Sequence, residues 1–287
     1  MGTPLLYAAL GEVICERSGV INLGVEGMML IGACTGFIAG NSFGSPWAGV
    51  AAAVVAGALL ALIHAFLTVT LRANQVVSGL AVTLFGTGLS GYLGQDYVGQ
   101  PAGAVFGKIA VPLLSDIPII GSILFKQDAL VYISYFLVPL AAWYFYKTRS
   151  GLFLRAMGEN PAAVDAAGIN VFGLRYLYIV VGGALAGVAG AYLSLAYAPS
   201  WLENMTAGRG WIAVALVIFA LWDPWRAMAG SYLFGGIDAL GFNLQVLGVP
   251  VSGFILNMLP YIFTVLVLVL VLKRRGGRSA SPQALGL

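Results

Sequence analysis

Two carboxylates lie inside apolar stretches of the chain, where a charged side chain is costly and usually serves a function. Glu26 follows Asn22 by one helical turn, and we expect it about two turns into a helix. Asp238 precedes Asn243 and Gln245. Glu26 could face a polar pathway, or it could hold a broken helix through hydrogen bonds or an ion pair. Asp238 could face the pathway or form a hydrogen bond to a neighbouring helix. The sequence names a partner for neither.

The single histidine, His64, lies in an apolar segment one turn before Thr68. No second His, Cys or carboxylate has metal-binding spacing with it, so a hydrogen-bonded interior residue is favoured and no metal site is predicted. The sequence has no GxxxxGK[ST] phosphate loop and no G-x-S-x-G nucleophile motif. We therefore predict a protein that is not an enzyme, with no catalytic residue and no cofactor of its own.

Hydroxyl and small residues recur at helical spacing in one apolar segment, at Gly79, Thr83, Gly86 and Ser90. Small residues allow helices to pack closely in lipid, and the hydroxyls could also line a polar path. Asn74 and Ser78, like Thr83 and Thr87, are four residues apart and share a helix face. The complete set of pathway candidates is Asn22, Glu26, Asn74, Gln75, Ser78, Thr83, Thr87, Ser90 and Asn243.

The longest polar segment, residues 147–175, reads KTRSGLFLRAMGENPAAVDAAGINVFGLR. Asn160 precedes Pro161, which favours the first turn of a helix, so residues 162–167 are predicted to form a short helix that Gly168 closes. A stiff helix between two membrane spans can transmit a push from a partner protein. An ordinary solvated loop is equally compatible with the residues alone.

The elements that must position these residues are membrane spans. Hydrophobic residues make up 60% of the chain and charged residues only 9%, against about a quarter in soluble domains. Eight apolar stretches approach the ~20 residues that a crossing needs, and a ninth at 4–14 is either a broken half-helix or the remnant of a longer first helix. We predict an all-α, polytopic transmembrane bundle of about 8–10 spans in a single domain, 1–287. The eight stretches are 20–39, 46–71, 76–98, 129–146, 174–198, 209–222, 227–242 and 252–272.

Orientation follows from the basic residues. When alternate loops are threaded to opposite sides, 11 of the 14 Lys and Arg residues fall on one side, which is therefore assigned to the cytoplasm. The tail 273–287 is then cytoplasmic, basic at first and flexible later. The opposite side carries the long loop 99–128, in which the short apolar stretch 117–125 suits a re-entrant or interfacial segment.

Three stretches carry a resemblance to a known family. ERSGVINLGVEGMMLIGA at 16–33 and RAMGENPAAVDAAGINV at 155–171 resemble ABC permeases of the branched-chain amino acid, ribose and nucleoside group. MTAGRGWIAVALVIFALWDPWRA at 205–227 resembles more narrowly the simple-sugar and nucleoside branch, which works with basic-membrane-lipoprotein-type binding proteins.

The resemblance implies a bacterial cytoplasmic-membrane importer in which two permease subunits, often non-identical, form the pathway. A cytoplasmic ATPase holding ATP and Mg²⁺ would drive alternating access, an extracytoplasmic lipoprotein would deliver the solute, and no nucleic acid would take part. The coupling helix that meets the ATPase would comprise Gly158, Glu159, Asn160, Pro161 and Asp165. It departs from the best-known coupling motif, because Asp165-Ala166-Ala167 runs directly into Gly168.

The resemblance of 205–227 to the lipoprotein-dependent branch favours a nucleoside over a free sugar, and a path for a nucleoside needs aromatic faces beside hydroxyl and amide groups. An aromatic belt at the membrane interface would explain the same residues. An ion-coupled secondary transporter using Glu26 and Asp238, and a permease for branched-chain amino acids, are the alternatives. The aromatic and amide residues concerned are Tyr92, Trp201, Trp211, Phe242, Asn204 and Asn243.

Overall fold

The computed structural model describes residues 1–117, 121, 124–247, 258, 262, 265, 269 and 281–286. Over this part of the chain the fold is almost entirely helical, which confirms the predicted class. Among the described residues, one small sheet pairs β1 (Ile109–Ala110) with β2 (Lys126–Gln127) in antiparallel register. The helices are α1 Gly2–Arg17, α2 Val25–Phe43, α3 Pro46–Ala65, α4 Gln75–Gly94, α5 Ala129–Lys147, α6 Arg149–Glu159, α7 Pro161–Ala166, α8 Val171–Tyr192, α9 Arg209–Ala220 and α10 Pro224–Val246.

Short π-helical turns, Phe66–Thr70 and Leu193–Tyr197, extend α3 and α8, and a 3₁₀ turn, Gln95–Tyr97, extends α4. With these extensions, four helices among the described residues are long and apolar enough to cross a membrane. They are Pro46–Thr70, Gln75–Tyr97, Ala129–Lys147 and Val171–Tyr197.

Asparagine and aspartate residues mark where several helices begin. The side chain of Asn74 accepts a hydrogen bond from the Val77 amide at the start of α4, and Asp128 does the same for Val131 in α5. Such caps satisfy backbone N–H groups that have no partner inside the helix. In a chain with so few polar residues, each cap therefore sets the end of a span.

Helix α8 lies at the centre of the bundle and packs against α1, α2 and α3 through glycine. A methyl group placed on Gly187 would lie 2.1 Å from the Ala53 carbonyl oxygen, and one on Gly190 would lie 1.9 Å from that of Met29. The glycines of α8 therefore bring helix backbones into direct contact, which is how small residues let helices associate in lipid.

Two predicted spans differ in the structure. The stretch 20–39 does not start a helix at residue 20, because residues 18–24 are non-helical and α2 begins at Val25. The stretch 209–222 contains α9, whose 12 residues extend about 18 Å, short of the ~30 Å hydrocarbon core. Conversely, the short stretch 4–14 is part of the continuous 16-residue α1.

The C-terminal tail also differs from its prediction, because Pro282 and Ala284 are buried against the protein. Most of the predicted span 252–272, the stretch 273–280 and parts of 117–125 lie outside the described residues.

The end of the bundle that carries Arg17, Arg72 and Arg175 is called the basic end below. Lys108 and Lys126 lie in the loop with β1 and β2, on the opposite side in the threading.

Candidate functional site

The non-helical segment 18–24 enters the bundle from the basic end, where Arg175 donates to the Ser18 carbonyl. Side chains of α3 and α4 satisfy its backbone farther in. The Ile21 amide donates to Oε1 of Gln75 at 2.7 Å, and the Ile21 carbonyl lies 2.9 Å from Nε2 of His64. Non-helical backbone persists at membrane depth only when protein groups replace water in this way.

Two further side chains, from α4 and α1, bond to the backbone of segment 18–24. The Thr83 hydroxyl donates to the Leu23 carbonyl at 2.8 Å, and Glu12 accepts the Asn22 amide at 3.0 Å. The Asn22 side chain then accepts from the Gly24 amide at 3.0 Å, just before α2 begins. The segment is thus held in one conformation by α1, α3 and α4 together.

Glu26 lies where two helices begin inside the bundle. It is in the first turn of α2, not two turns in, and is 7% exposed. Its Oε1 accepts from the Thr206 hydroxyl at 2.6 Å and the Gly208 amide at 2.9 Å, and its Oε2 accepts from the Gly210 amide at 2.6 Å. A carboxylate at a helix N-terminus satisfies free amides and matches the positive end of the helix dipole.

Of the groups that bond to Glu26, the Gly210 amide is in the first turn of α9, whereas the Thr206 hydroxyl and the Gly208 amide come from a second non-helical segment, residues 198–208. The Gly99 amide donates to the Trp201 carbonyl at 2.9 Å, which ties this segment to the loop after α4. Asn204 and Ala207 have φ of 53° and 48°, and Gly208 has φ of 82°, so the chain turns sharply before α9. Because α9 then continues about 18 Å toward the basic end, Glu26 lies deep within the bundle.

A second acidic cluster, which the sequence reasoning missed, lies in α1. Glu12 and Glu16 are 1% and 3% exposed and four residues apart, so they lie on one helix face. The Trp222 indole N–H donates to Glu16, and Arg17 donates to the Trp222 carbonyl. The sequence does contain a signal for this pair, because two glutamates four residues apart in an apolar helix are rare and require partners.

Asp238 has the partner that the sequence could not name. Arg209, at the start of α9, donates to Asp238 at 3.4 Å, and its guanidinium lies 5.8 Å from the centre of the Tyr197 ring. These residues border a small polar cavity. Asn243 is exposed and donates to the Ala239 carbonyl of its own helix.

The structure brings some pathway candidates together and leaves others apart. Gln75 and Thr83 bond to the backbone of segment 18–24, which contains Asn22, and the Ser78 hydroxyl lies 2.9 Å from Nδ1 of His64. Thr87 and Ser90 bond to backbone carbonyls of their own helix, whereas Asn74 is an exposed cap. Their roles in a pathway stay predictions.

The predicted short helix in segment 147–175 is confirmed as α7. The Asn160 side chain accepts from the Ala163 amide at 3.0 Å, Pro161 occupies the first turn, and Gly168 has φ of 80° after the helix ends. Glu159, Asn160 and Asp165 are exposed, whereas Gly158 is buried at the end of α6. The polar face of this loop is therefore free to meet a partner.

A polytopic membrane permease is typically built from apolar spans, helices that begin within the bundle and short exposed helices between spans. The described residues show all three features. The family model described as branched-chain amino acid transport system / permease component matches residues 1–272. The chain belongs to this family and is a transmembrane permease subunit of an ABC transporter.

Three relatives cover nearly the whole chain. The putative glucose ABC transporter permease protein TsgC13 of Haloferax volcanii is 42% identical over 99% of this chain and 93% of its own length. The nucleoside ABC transporter permease protein NupC of Lactococcus lactis is 38% identical, and the guanosine ABC transporter permease protein NupQ of Bacillus subtilis is 35% identical, each over 99% of this chain and 92% of its own length. No solved structure matches the chain.

Two of these organisms also have a second, more distant relative of this chain. It is the glucose ABC transporter permease protein TsgB13 in H. volcanii, 25% identical, and the guanosine ABC transporter permease protein NupP in B. subtilis, 24% identical.

Proposed function

We propose that this chain is one of two non-identical permease subunits of an importer that moves a nucleoside or a simple sugar into the cytoplasm. The observation that carries the proposal is the similarity, over 99% of the chain, to permeases named for glucose, nucleosides and guanosine. The paired relatives in H. volcanii and B. subtilis support a paralogous second permease as partner.

The geometry supports movement of rigid units. Glu26 joins the start of α2 to the start of α9 through three hydrogen bonds, so these helices would move together. Glu12 and Glu16 join α1 to segment 18–24 and to the turn after α9. Tilting of such units would open the pathway to one side and then to the other.

The energy source would lie outside this chain. Helix α7 is short, capped and exposed, so it can seat in a cytoplasmic ATPase that holds ATP and Mg²⁺. An extracytoplasmic lipoprotein would deliver the solute. Gly158, Glu159, Asn160, Pro161 and Asp165 are proposed for coupling, with Gly158 acting from within the protein because it is buried.

An ion-coupled secondary transporter is less well supported. Its coupling carboxylates would need to exchange an ion with solvent. Both oxygens of Glu26 are occupied by protein donors, and Asp238 pairs with Arg209. These contacts favour structural roles for the two carboxylates.

The cytoplasmic assignment of α7 can be tested by labelling. With Cys15 and Cys34 replaced by alanine, Ala162→Cys should react with a membrane-impermeant thiol reagent only in inside-out vesicles, because Ala162 is exposed on the proposed cytoplasmic side. Lys108→Cys in the same background should react in intact cells. Labelling of Ala162→Cys in intact cells would reverse the proposed orientation.

The solute can be tested by uptake of labelled guanosine, ribose, glucose and leucine into cells with and without the gene, the ATPase gene being intact. We expect deletion to lower guanosine uptake at least tenfold and to leave leucine uptake unchanged. Loss of ribose or glucose uptake alone would exclude the nucleoside and leave the sugar. Loss of leucine uptake alone would assign the chain to branched-chain amino acids.

A further inference from the structure

The last described residues, 282–286, form a turn that is inserted between the coupling loop and segment 18–24. This terminal turn is defined by the buried residues Pro282 and Ala284, the latter 1% exposed. The Ala284 amide donates to the Gly158 carbonyl at 2.8 Å. Carbonyls in the last turn of a helix have no partner within it, so the terminal turn satisfies one at the end of α6.

Gly158 is the point where three parts of the protein meet. A methyl group placed on Gly158 would lie 2.4 Å from the Arg17 carbonyl oxygen and 3.1 Å from Cβ of Pro282. Only glycine therefore lets the end of α6 approach both the end of α1 and the terminal turn. Pro161, the first residue of α7, follows only three positions later.

On its other side, the terminal turn contacts segment 18–24. A methyl group placed on Gly19 would lie 3.3 Å from the Ala284 carbonyl oxygen, and one on Gly286 would lie 3.5 Å from Cδ1 of Ile21. Segment 18–24 leads directly into α2 and to Glu26. The terminal turn thus lies between the loop that carries α7 and the segment that leads to the inner helix starts.

We propose that the terminal turn is a mechanical link that transmits movement of α6 and α7 to segment 18–24, so that it forms part of the coupling apparatus. This inference rests on the proposed function. Because the Ala284 amide bonds to Gly158 and Ala284 packs against Gly19, displacement of the coupling loop presses the turn against segment 18–24. Without the turn, ATP hydrolysis proceeds but moves less solute.

The test uses the complete transporter, with its ATPase, second permease and binding protein, in proteoliposomes. The measured quantity is labelled guanosine or glucose imported per ATP hydrolysed. Ala284→Ser, Ala284→Val and Ala284→Trp form a series of increasing size, and removal of residues 281–287 completes it. We expect the ratio to fall progressively, at least fivefold for the tryptophan variant, with ATP hydrolysis within twofold of wild type.

Gln283→Trp is the matched control, because the neighbouring Gln283 is exposed. It should leave the ratio unchanged. If the truncated chain does not accumulate in the membrane, the Ala284 series decides. A ratio that is flat across the series would overturn the link, and a ratio that rises would show that the turn restrains transport instead.

The outcome separates this inference from the proposed function. If the wild-type transporter imports neither nucleoside nor sugar, the proposed function fails and the inference falls with it. If the wild type imports solute and the Ala284 series imports equally well per ATP, only the mechanical link is wrong.

Discussion

Glu26→Ala is expected to lower the stability of the protein by about 3–9 kcal/mol and to abolish transport. The substitution leaves the Thr206 hydroxyl and the Gly208 and Gly210 amides without their acceptor. Each buried polar group left unsatisfied costs about 1–3 kcal/mol, and bonds to charged groups cost more. Water cannot replace the carboxylate easily at this depth.

Membrane accumulation and the midpoint of thermal aggregation in detergent measure this loss. Glu26→Gln should be intermediate, because one oxygen remains for Thr206 and Gly208 while the amide nitrogen faces the Gly210 donor. Glu203→Ala is the matched control, since Glu203 is an exposed glutamate in segment 198–208, which contains Thr206 and Gly208. Wild-type stability of Glu26→Ala would contradict a structural role for the carboxylate.

Gly187→Ala and Gly190→Ala are expected to be the next most damaging changes. The added methyl groups would lie 2.1 Å and 1.9 Å from backbone oxygens of α3 and α2, distances at which the helices must separate. Overpacking of a core costs about 1–3 kcal/mol, and the upper end applies because backbone atoms cannot rotate away. The doubly substituted chain should fail to accumulate.

The same stability measurements test this prediction against a matched pair of changes. Gly88→Ala and Gly91→Ala lie in α4, where nothing stands within 4 Å of the added methyl group. They should change the aggregation midpoint little. Equal effects of the α8 and α4 substitutions would show that glycine in α8 serves flexibility rather than close packing.

Much of the fold follows from local chemistry. The apolar stretches and the scarcity of charge predicted the helical membrane fold, since lipid allows little else. Asn160 and Pro161 predicted the start of α7, because capping depends on neighbouring residues alone. The spacing of Gly79 and Gly86 predicted close packing of α4, whereas the residues that these glycines contact, Leu23 and Gly27, could not be named.

The broken helices illustrate where local reasoning ends. Residues 20–24 are apolar enough to continue a span, yet they are non-helical because His64, Gln75 and Thr83 offer hydrogen bonds that replace those of a helix. These donors and acceptors come from α3 and α4. The hydropathy of these residues is the same whether they are helical or non-helical. The span 20–39 was therefore predicted to begin too early.

The sequence by itself determined the class of protein, the sites of many helix ends and the small-residue faces, because each depends on solvent or on residues within about one turn. Only the tertiary structure decided the roles of the carboxylates and of the tail. Glu26 is bound by residues 180 to 184 positions away, and Ala284 by Gly158. Hydrogen bonds in a bundle depend on which helices pack together, and patterns of neighbouring residues in the sequence do not show that arrangement.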